Sequence, residues 1–245
     1  MGKAIKLAAA AAILALGLIA SSVVLSKFFV NIKHEKPITV KGYAEADIVS
    51  DIGKFACSNH VRGASLKEAY DKLQVGRSAI LEHLKQKGFV ESEIGTGTIQ
   101  TTQVNKRNDK GNETNEVEFY DANQTVVVTS GNVTRIRDAA ISIAGLIKED
   151  INISVTAPEF LVSDLKDTKL KLLAKATDDG YRRALALAEN SHAKVGALVS
   201  AEQGVLQITK RNSTDTSGYG VYDTSTIEKT AKAVVTLEYR IEPQK

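Results

Sequence analysis

Hydrophobic and polar positions follow three different patterns along this chain, and each pattern marks a different kind of segment. From Leu7 to Ser26 the run LAAAAAILALGLIASSVVLS carries no charge. A helix of about 20 such residues, roughly 30 Å long, is what crossing the hydrocarbon of a bilayer requires. After Pro37 the period becomes two. Ile38, Val40, Gly42, Ala44, Ala46 and Ile48 alternate with Thr39, Lys41, Tyr43, Glu45 and Asp47, which predicts a half-buried strand. A turn at Ser50, Asp51 and Gly53 leads to a second strand with Phe55, Cys57, Asn59 and Val61 on one face and Lys54, Ser58, His60 and Arg62 on the other. The two are expected to pair as a hairpin.

The period then lengthens. Ser65 as N-cap with Glu68 three residues on forms a capping box, and Leu66, Tyr70, Leu73, Ile80, Leu81 and Leu84 give a stripe that ends at Gly88. Gly76 inside this helix is expected to cost about 1 kcal/mol relative to Ala. Strand segments follow at 94–104 and 117–130, separated by KRNDKGNETNE, which reads as an exposed hairpin tip. Asn132 caps a second helix with Val133, Ile136, Ala140, Ile143 and Ile147 inward. A strand with Ile151, Ile153 and Val155 closes at Pro158. The longest helix covers about 163–192, with Leu170, Leu173, Thr177, Tyr181, Ala184 and Ala188 along one side. A final hairpin joins 195–210 to 227–241, where Ala233, Val235, Leu237, Tyr239 and Ile241 alternate with polar residues.

The order β-β-α-β-β-α-β-α-β-β has more hairpins than crossovers. It predicts an α+β class with a mixed or antiparallel sheet packed with three helices, preceded by one N-terminal transmembrane helix. Neither a repeat nor a Pro- or Gly-rich linker follows residue 37, so 38–245 reads as one domain with room for a lobe division. Residues 1–30 read as the anchor or signal segment and 31–37 as a stalk.

Charge changes the picture in one respect. The formal net charge is +3, but of 32 basic and 29 acidic residues, five lysines and one glutamate lie in 1–36. That leaves 27 and 28 in 37–245, a net of −1. The basicity belongs to the leader, and a nucleic-acid partner is set aside because such binders carry positive charge on the folded surface. Lys3 and Lys6 before the apolar run also fit a cleavable signal, with Ala20 and Ser22 at its small-residue positions. Against cleavage, Val23, Val24, Leu25, Phe28, Phe29 and Val30 continue the apolar character beyond that point. The default expectation is therefore a single-pass inner-membrane anchor at 7–26 with the C-terminal domain in the periplasm, and a cleaved periplasmic form is the alternative.

Candidate chemistry is sparse. One cysteine excludes an internal disulfide and any zinc site built on two or more thiolates, and zero Trp with 5% aromatics leaves little for stacking platforms. His34, His60, His83 and His192 fall outside any metal-ligand spacing, and the Gly95-Thr96-Gly97-Thr98 string lacks the context of a phosphate loop and better fits a strand twist or bulge. Asp178 and Asp179, bordered by Lys175, Arg182 and Arg183, fit a solvated helix face with i, i+4 pairs. Cys57 alternates inward with Phe55 and Val61, which favours a buried thiol over a nucleophile. Five N-x-[ST] sequons begin at Asn112, Asn123, Asn132, Asn152 and Asn212 and matter only in a eukaryotic secretory route. No catalytic, cofactor-binding or metal residues are assigned, and no enzyme activity is expected.

Two stretches carry a resemblance. ITVKGYAEADIVSDIGKFACS with the following LKEAYDKL helix, and LKLLAKATDDGYRRALALAENSHAKVGALVS at 170–200, are similar to the SIMPL-domain family over residues 38–241. Phe55 stands where many relatives have Trp. The resemblance implies a bacterial envelope protein of α+β fold, a member of a group that includes periplasmic immunogenic proteins and membrane-anchored forms. It also implies assembly into ring-like or channel-like homo-oligomers and a link to envelope or oxidative stress, without catalytic residues or a cofactor. The leading expectation is thus an anchored homo-oligomeric scaffold, with the polar stretches 105–116 and 212–226 as candidate contacts. The alternative is a small-ligand or peptide-binding envelope module.

Overall fold

The computed structural model describes residues 2, 14–26 and 37–243. Helix α1 (14–26) covers the second half of the apolar run, while residues 7–13, the stalk before Pro37 and His34 lie outside the described residues. Among the described residues no helix is long and apolar enough to cross a membrane. Then follow β1 (Ile38–Val49), β2 (Ile52–Gly63), α2 (Leu66–Gln86), β3 (Ile94–Thr96), β4 (Gln100–Arg107) and β5 (Glu113–Ser130). The chain continues through α3 (Val133–Ser142), a 3-10 segment (Ile143–Glu149), β6 (Ile153–Val155), β7 (Glu159–Leu161) and α4 (Lys166–Asn190). It ends with β8 (Ala193–Gln203), β9 (Gln207–Lys210) and β10 (Glu228–Pro243).

The class is α+β. One sheet has the order β1-β10-β8 with β9 also on β10, and the other has β3-β5-β2-β6 with β4 on β5 and β7 on β2. The ladders of β10 with β8 and β9, and of β2 with β5, β6 and β7, are antiparallel. The expected β1–β2 hairpin does not form, because the two strands belong to different sheets. The reason lies in the short connection: Ser50 N–H donates to Ile227 O and Asp51 N–H to Leu161 O, so the turn is tied to two other segments instead of closing on itself. Asp51 also accepts from the Ser163 hydroxyl and, at 2.7 Å, from the Ser163 backbone N–H, and these bonds, the hydroxyl's first, hold its carboxyl below the ordinary range.

Two compact units divide the chain: Met1–Ala44, Leu170–Val205 and Ala233–Lys245 form the first, Glu45–Lys169 and Leu206–Lys232 the second. In the first, the inward face of α4 is Leu172, Ala176, Gly180, Ala184 and Ala188. Leu170 and Tyr181, expected inward, are exposed. Small residues win because strand and helix backbones nearly touch. A Cβ on Gly42 would land on Ala176 O, and one on Gly180 would sit 2.7 Å from Leu237 Cδ1. Asp179 reinforces the contact by accepting from Tyr43 N–H at 2.8 Å.

In the second unit, α2 and α3 cover one face of the six-stranded sheet. Phe55, Cys57, Ile80, Leu84, Val126, Val128, Ile136, Ile143 and Phe160 form its core, the burial of apolar surface that drives folding. Ser65 caps α2 by accepting from Glu68 N–H. The reciprocal bond of the expected capping box shifts by one residue, since Glu68 accepts from Ala64 N–H. Asn132 caps α3 through Arg135 N–H. The buried side of α2 is Ala69, Leu73, Gly76, Ile80 and Leu84, so Leu66 and Tyr70 face outward, against expectation.

Candidate functional site

A cleft of about 920 Å³ opens in the second unit, where β6 leaves β2. Its lining comes from β2 (Asn59 to Arg62), from α2 (Lys72, Val75, Gly76), from Asp121 of β5, and from Glu149 to Asn152. The local sequence explains the opening. β6 pairs with β2 only from Cys57↔Val155 to Asn59↔Ile153, with a last bond from His60 N–H to Asn152 O. Before that point Asp150 takes the left-handed conformation at φ 60° and closes the 3-10 segment, and Ile151 N–H bonds back to Leu146 O. The chain that would have continued the ladder is committed to a helix cap.

Backbone groups of a strand alternate in direction, so Arg62 points the way His60 does. No strand lies opposite it on that side among the described residues. Its carbonyl accepts instead from Lys72 Nζ at 3.0 Å, and its N–H faces the cleft. The charges there are partly matched. Lys72 pairs with Glu68 at 2.8 Å and Arg62 with Asp121 at 3.5 Å. The Arg62 guanidinium also lies over the Phe119 ring, 4.4 Å from its centroid. Glu149 and Asp150 have no ion-pair partner within salt-bridge distance among the described residues, so the cleft has a negative end.

At the floor Asn59 replaces an apolar residue on the inward face of β2. Its Nδ2 donates to Leu73 O at 3.1 Å, and its Oδ1 is buried without a hydrogen-bond partner among the described residues. Gly76 gives the amide its room: a Cβ there would overlap Asn59 Nδ2 and lie 2.8 Å from its Cγ.

Of the residues singled out from sequence, His60, Gly76 and Asn152 line the cleft, and the others fall elsewhere. His83 sits within 3.0 Å of Ser142 Oγ, and burial followed by the nearby Lys87 holds its imidazole below the ordinary pKa against an opposing pull from Glu149. His192 occupies a left-handed turn after α4. Cys57 is fully buried and desolvation pushes its thiol up to about 11, as its inward alternation predicts. Gly97 extends the β5 ladder, donating to Thr125 O at 2.8 Å, and Asp178 and Asp179 pair with Arg182 and Arg183 at i, i+4. Among the described residues no cluster of three His, Cys, Asp or Glu is placed to hold a metal.

The two polar stretches differ. The 212–226 loop is pinned down by buried lysines: Lys229 Nζ donates to Asp223 O at 2.6 Å and to Asp223 Oδ2 at 3.2 Å, and Lys232 Nζ donates to Ser213 O. Burial works against the charged Asp223 carboxylate, but hydrogen bonds from Thr226, Ser225 and Lys229 outweigh it and hold the carboxyl well below its usual range. The 105–116 stretch is mostly strand. β4 and β5 stay paired out to Arg107↔Glu113, leaving a turn of 108–112. β2 pairs with β5 only as far as Gly63↔Tyr120. From Glu113 to Phe119, β5 therefore has β4 on one side and, among the described residues, no strand on the other.

The family model described as SIMPL, protein of unknown function (DUF541), matches residues 38–242. The chain belongs to the SIMPL family. Among the described residues that match runs from the first residue of β1 to the next-to-last of β10 in this SIMPL chain. No curated protein matches the sequence. Among solved structures, a de novo designed protein, Foldit4, aligns at 16% identity with a TM-score of 0.24, covering 42% of this chain and 93% of that one. At that TM-score the likeness carries no argument.

Proposed function

We propose that this SIMPL protein is an exported, membrane-anchored scaffold that assembles as a homo-oligomer through the β4–β5 arm, serves the envelope under stress, and catalyses nothing. The carrying observation is the open edge of β5 from Glu113 to Phe119. An unpaired row of strand N–H and C=O groups is a template for another chain, and a second copy offers the same row. The arm is tied together near its tip by the Lys106–Glu116 pair at 3.2 Å and by Thr114 Oγ1 donating to Lys106 O at 2.9 Å. The apolar run 7–26 supports the anchor, with Leu14, Leu18 and Val24 exposed on α1.

The test is the mass of the full-length chain in detergent by light scattering. A variant in which Asn-Gly replaces 106–116 closes the Asn105↔Val117 pair with a two-residue hairpin turn. The wild type should have a multiple of the protomer mass of 26.3 kDa, and the variant should fall to the protomer while melting cooperatively. A monomeric wild type, or an unchanged mass in the variant, refutes the arm as the assembly element. The cleft favours a second reading, a small-ligand or peptide-binding module, which is independent of assembly.

A further inference from the structure

The edge of β2 that β6 abandons points to one kind of occupant. We infer that the cleft binds an extended peptide carrying a lysine or arginine side chain, which adds to β2 beyond His60 and places its cation at Glu149 and Asp150. The inference rests on the binding-module reading and names its ligand class.

Three observations select a peptide. The first is the Arg62 N–H, which faces the cleft at the ladder position after the His60–Asn152 bond. The group that fits there is a backbone carbonyl, since Asp150 and Ile151 are held in the helix cap and cannot supply one. The second is the size and character of the walls. A volume of about 920 Å³ lies at the upper end of small-ligand sites. Val75, exposed on α2, and Ile151 provide apolar contact beside the polar groups. A bare ammonium would leave that wall and the Arg62 N–H unused. The third is the pattern of unmet acceptors. Glu149 and Asp150 lack ion-pair partners, and Asn59 Oδ1 is a buried acceptor without a donor at the floor. Arg62 and Lys72 are already engaged with Asp121 and Glu68. The cleft thus asks for positive charge at its acidic end and for one carbonyl at its edge. A basic peptide in extended form supplies both.

The probe is the capped, fluorescein-labelled peptide Ala-Val-Lys-Val-Ala, read by anisotropy on the full-length protein in detergent. Its glutamate counterpart and cadaverine, the lysine amine without a backbone, serve as comparisons. The lysine peptide should bind at least tenfold tighter than either and should slow hydrogen exchange in the 61–63 segment. Glu149→Gln with Asp150→Asn should weaken it about tenfold, the size expected for two partly exposed charge contacts. Asn tolerates the left-handed conformation at residue 150, so this variant keeps the cap and isolates charge. If cadaverine competes as well as the peptide and exchange at 61–63 is unaltered, strand addition is overturned and the cleft survives as a small-cation site. If no probe binds at about 1 mM, the binding-module reading falls with it.

Discussion

Gly76→Ala should destabilise the second unit, although the same change in an ordinary helix interior stabilises by about 1 kcal/mol. The sign reverses because of Asn59. A Cβ at residue 76 would overlap Asn59 Nδ2 and come within 2.8 Å of Cγ and 2.9 Å of Oδ1. Asn59 is buried on β2 beneath α2, and swinging its amide aside breaks the Nδ2 bond to Leu73 O at 3.1 Å. Overpacking of this kind costs about 1–3 kcal/mol. Losing the amide bond adds about 1 kcal/mol. Setting the propensity gain against these terms leaves a net loss of about 1–3 kcal/mol. In an Asn59→Ala background the obstacle is gone, and Gly76→Ala should then stabilise by up to about 1 kcal/mol. The coupling between the two positions is therefore expected at about 2–4 kcal/mol, well above the few tenths typical of independent sites. Urea unfolding of the four proteins of this cycle measures it. A stabilising Gly76→Ala in the wild type, or a coupling within 0.5 kcal/mol of zero, would refute the packing of the helix glycine on the strand amide.

Asp223→Asn should cost about 3–5 kcal/mol by urea unfolding, since it leaves the fully buried Lys229 cation without its carboxylate. A loss below about 0.5 kcal/mol would show the pair to be dispensable. The depressed Asp223 pKa also fixes a direction with pH: its contribution is complete above the unfolded carboxyl value of about 3.9 and fades as pH falls toward the folded value, so the variant should lose less stability than the wild type between about pH 4 and 2. Cys57, buried and raised to about 11, should resist iodoacetamide at neutral pH and react promptly in denaturant. Equal alkylation rates in the two conditions would contradict its burial.

Alternation was the most legible feature of the fold. In β1 the inward side is Val40, Gly42 and Ala44, and in β2 it is Phe55, Cys57 and Asn59, as period two dictates. The Ser65 and Asn132 caps were equally plain, because a cap is a local event between residues three apart. The helix stripes were legible in period but not in phase. Reading the largest side chains as inward put Leu66, Tyr70, Leu170 and Tyr181 in the core, whereas close backbone approach selects Ala69, Ala176 and Gly180, and the Asn59 amide selects Gly76. Strand partnership was the least legible. The β1–β2 connection is short and polar like a hairpin, and only bonds to Ile227 and Leu161, far along the chain, decide that its two arms join different sheets.

The candidate sites were hidden for two physical reasons. Gly76 stood out as a breaker inside a helix, while Asn59 passed as one more position on the face of Phe55 and Cys57. They are two halves of one contact, and nothing local joins residues 59 and 76 until α2 lies on β2. The arm was hidden by composition. KRNDKGNETNE has the residues of a loop, yet its ladder holds to Arg107↔Glu113 and only 108–112 turns. A two-stranded ribbon with little apolar surface is marginal in water, and its ordering must be offset by bonds across the ladder or by a neighbour. The Lys106–Glu116 pair is solvent-exposed and contributes at most about 1 kcal/mol. In the proposed assembly a third strand from a second copy is that neighbour, and dilution tests it: a ribbon that needs the neighbour should lose protection from hydrogen exchange at 113–117 when the protein is diluted to the protomer.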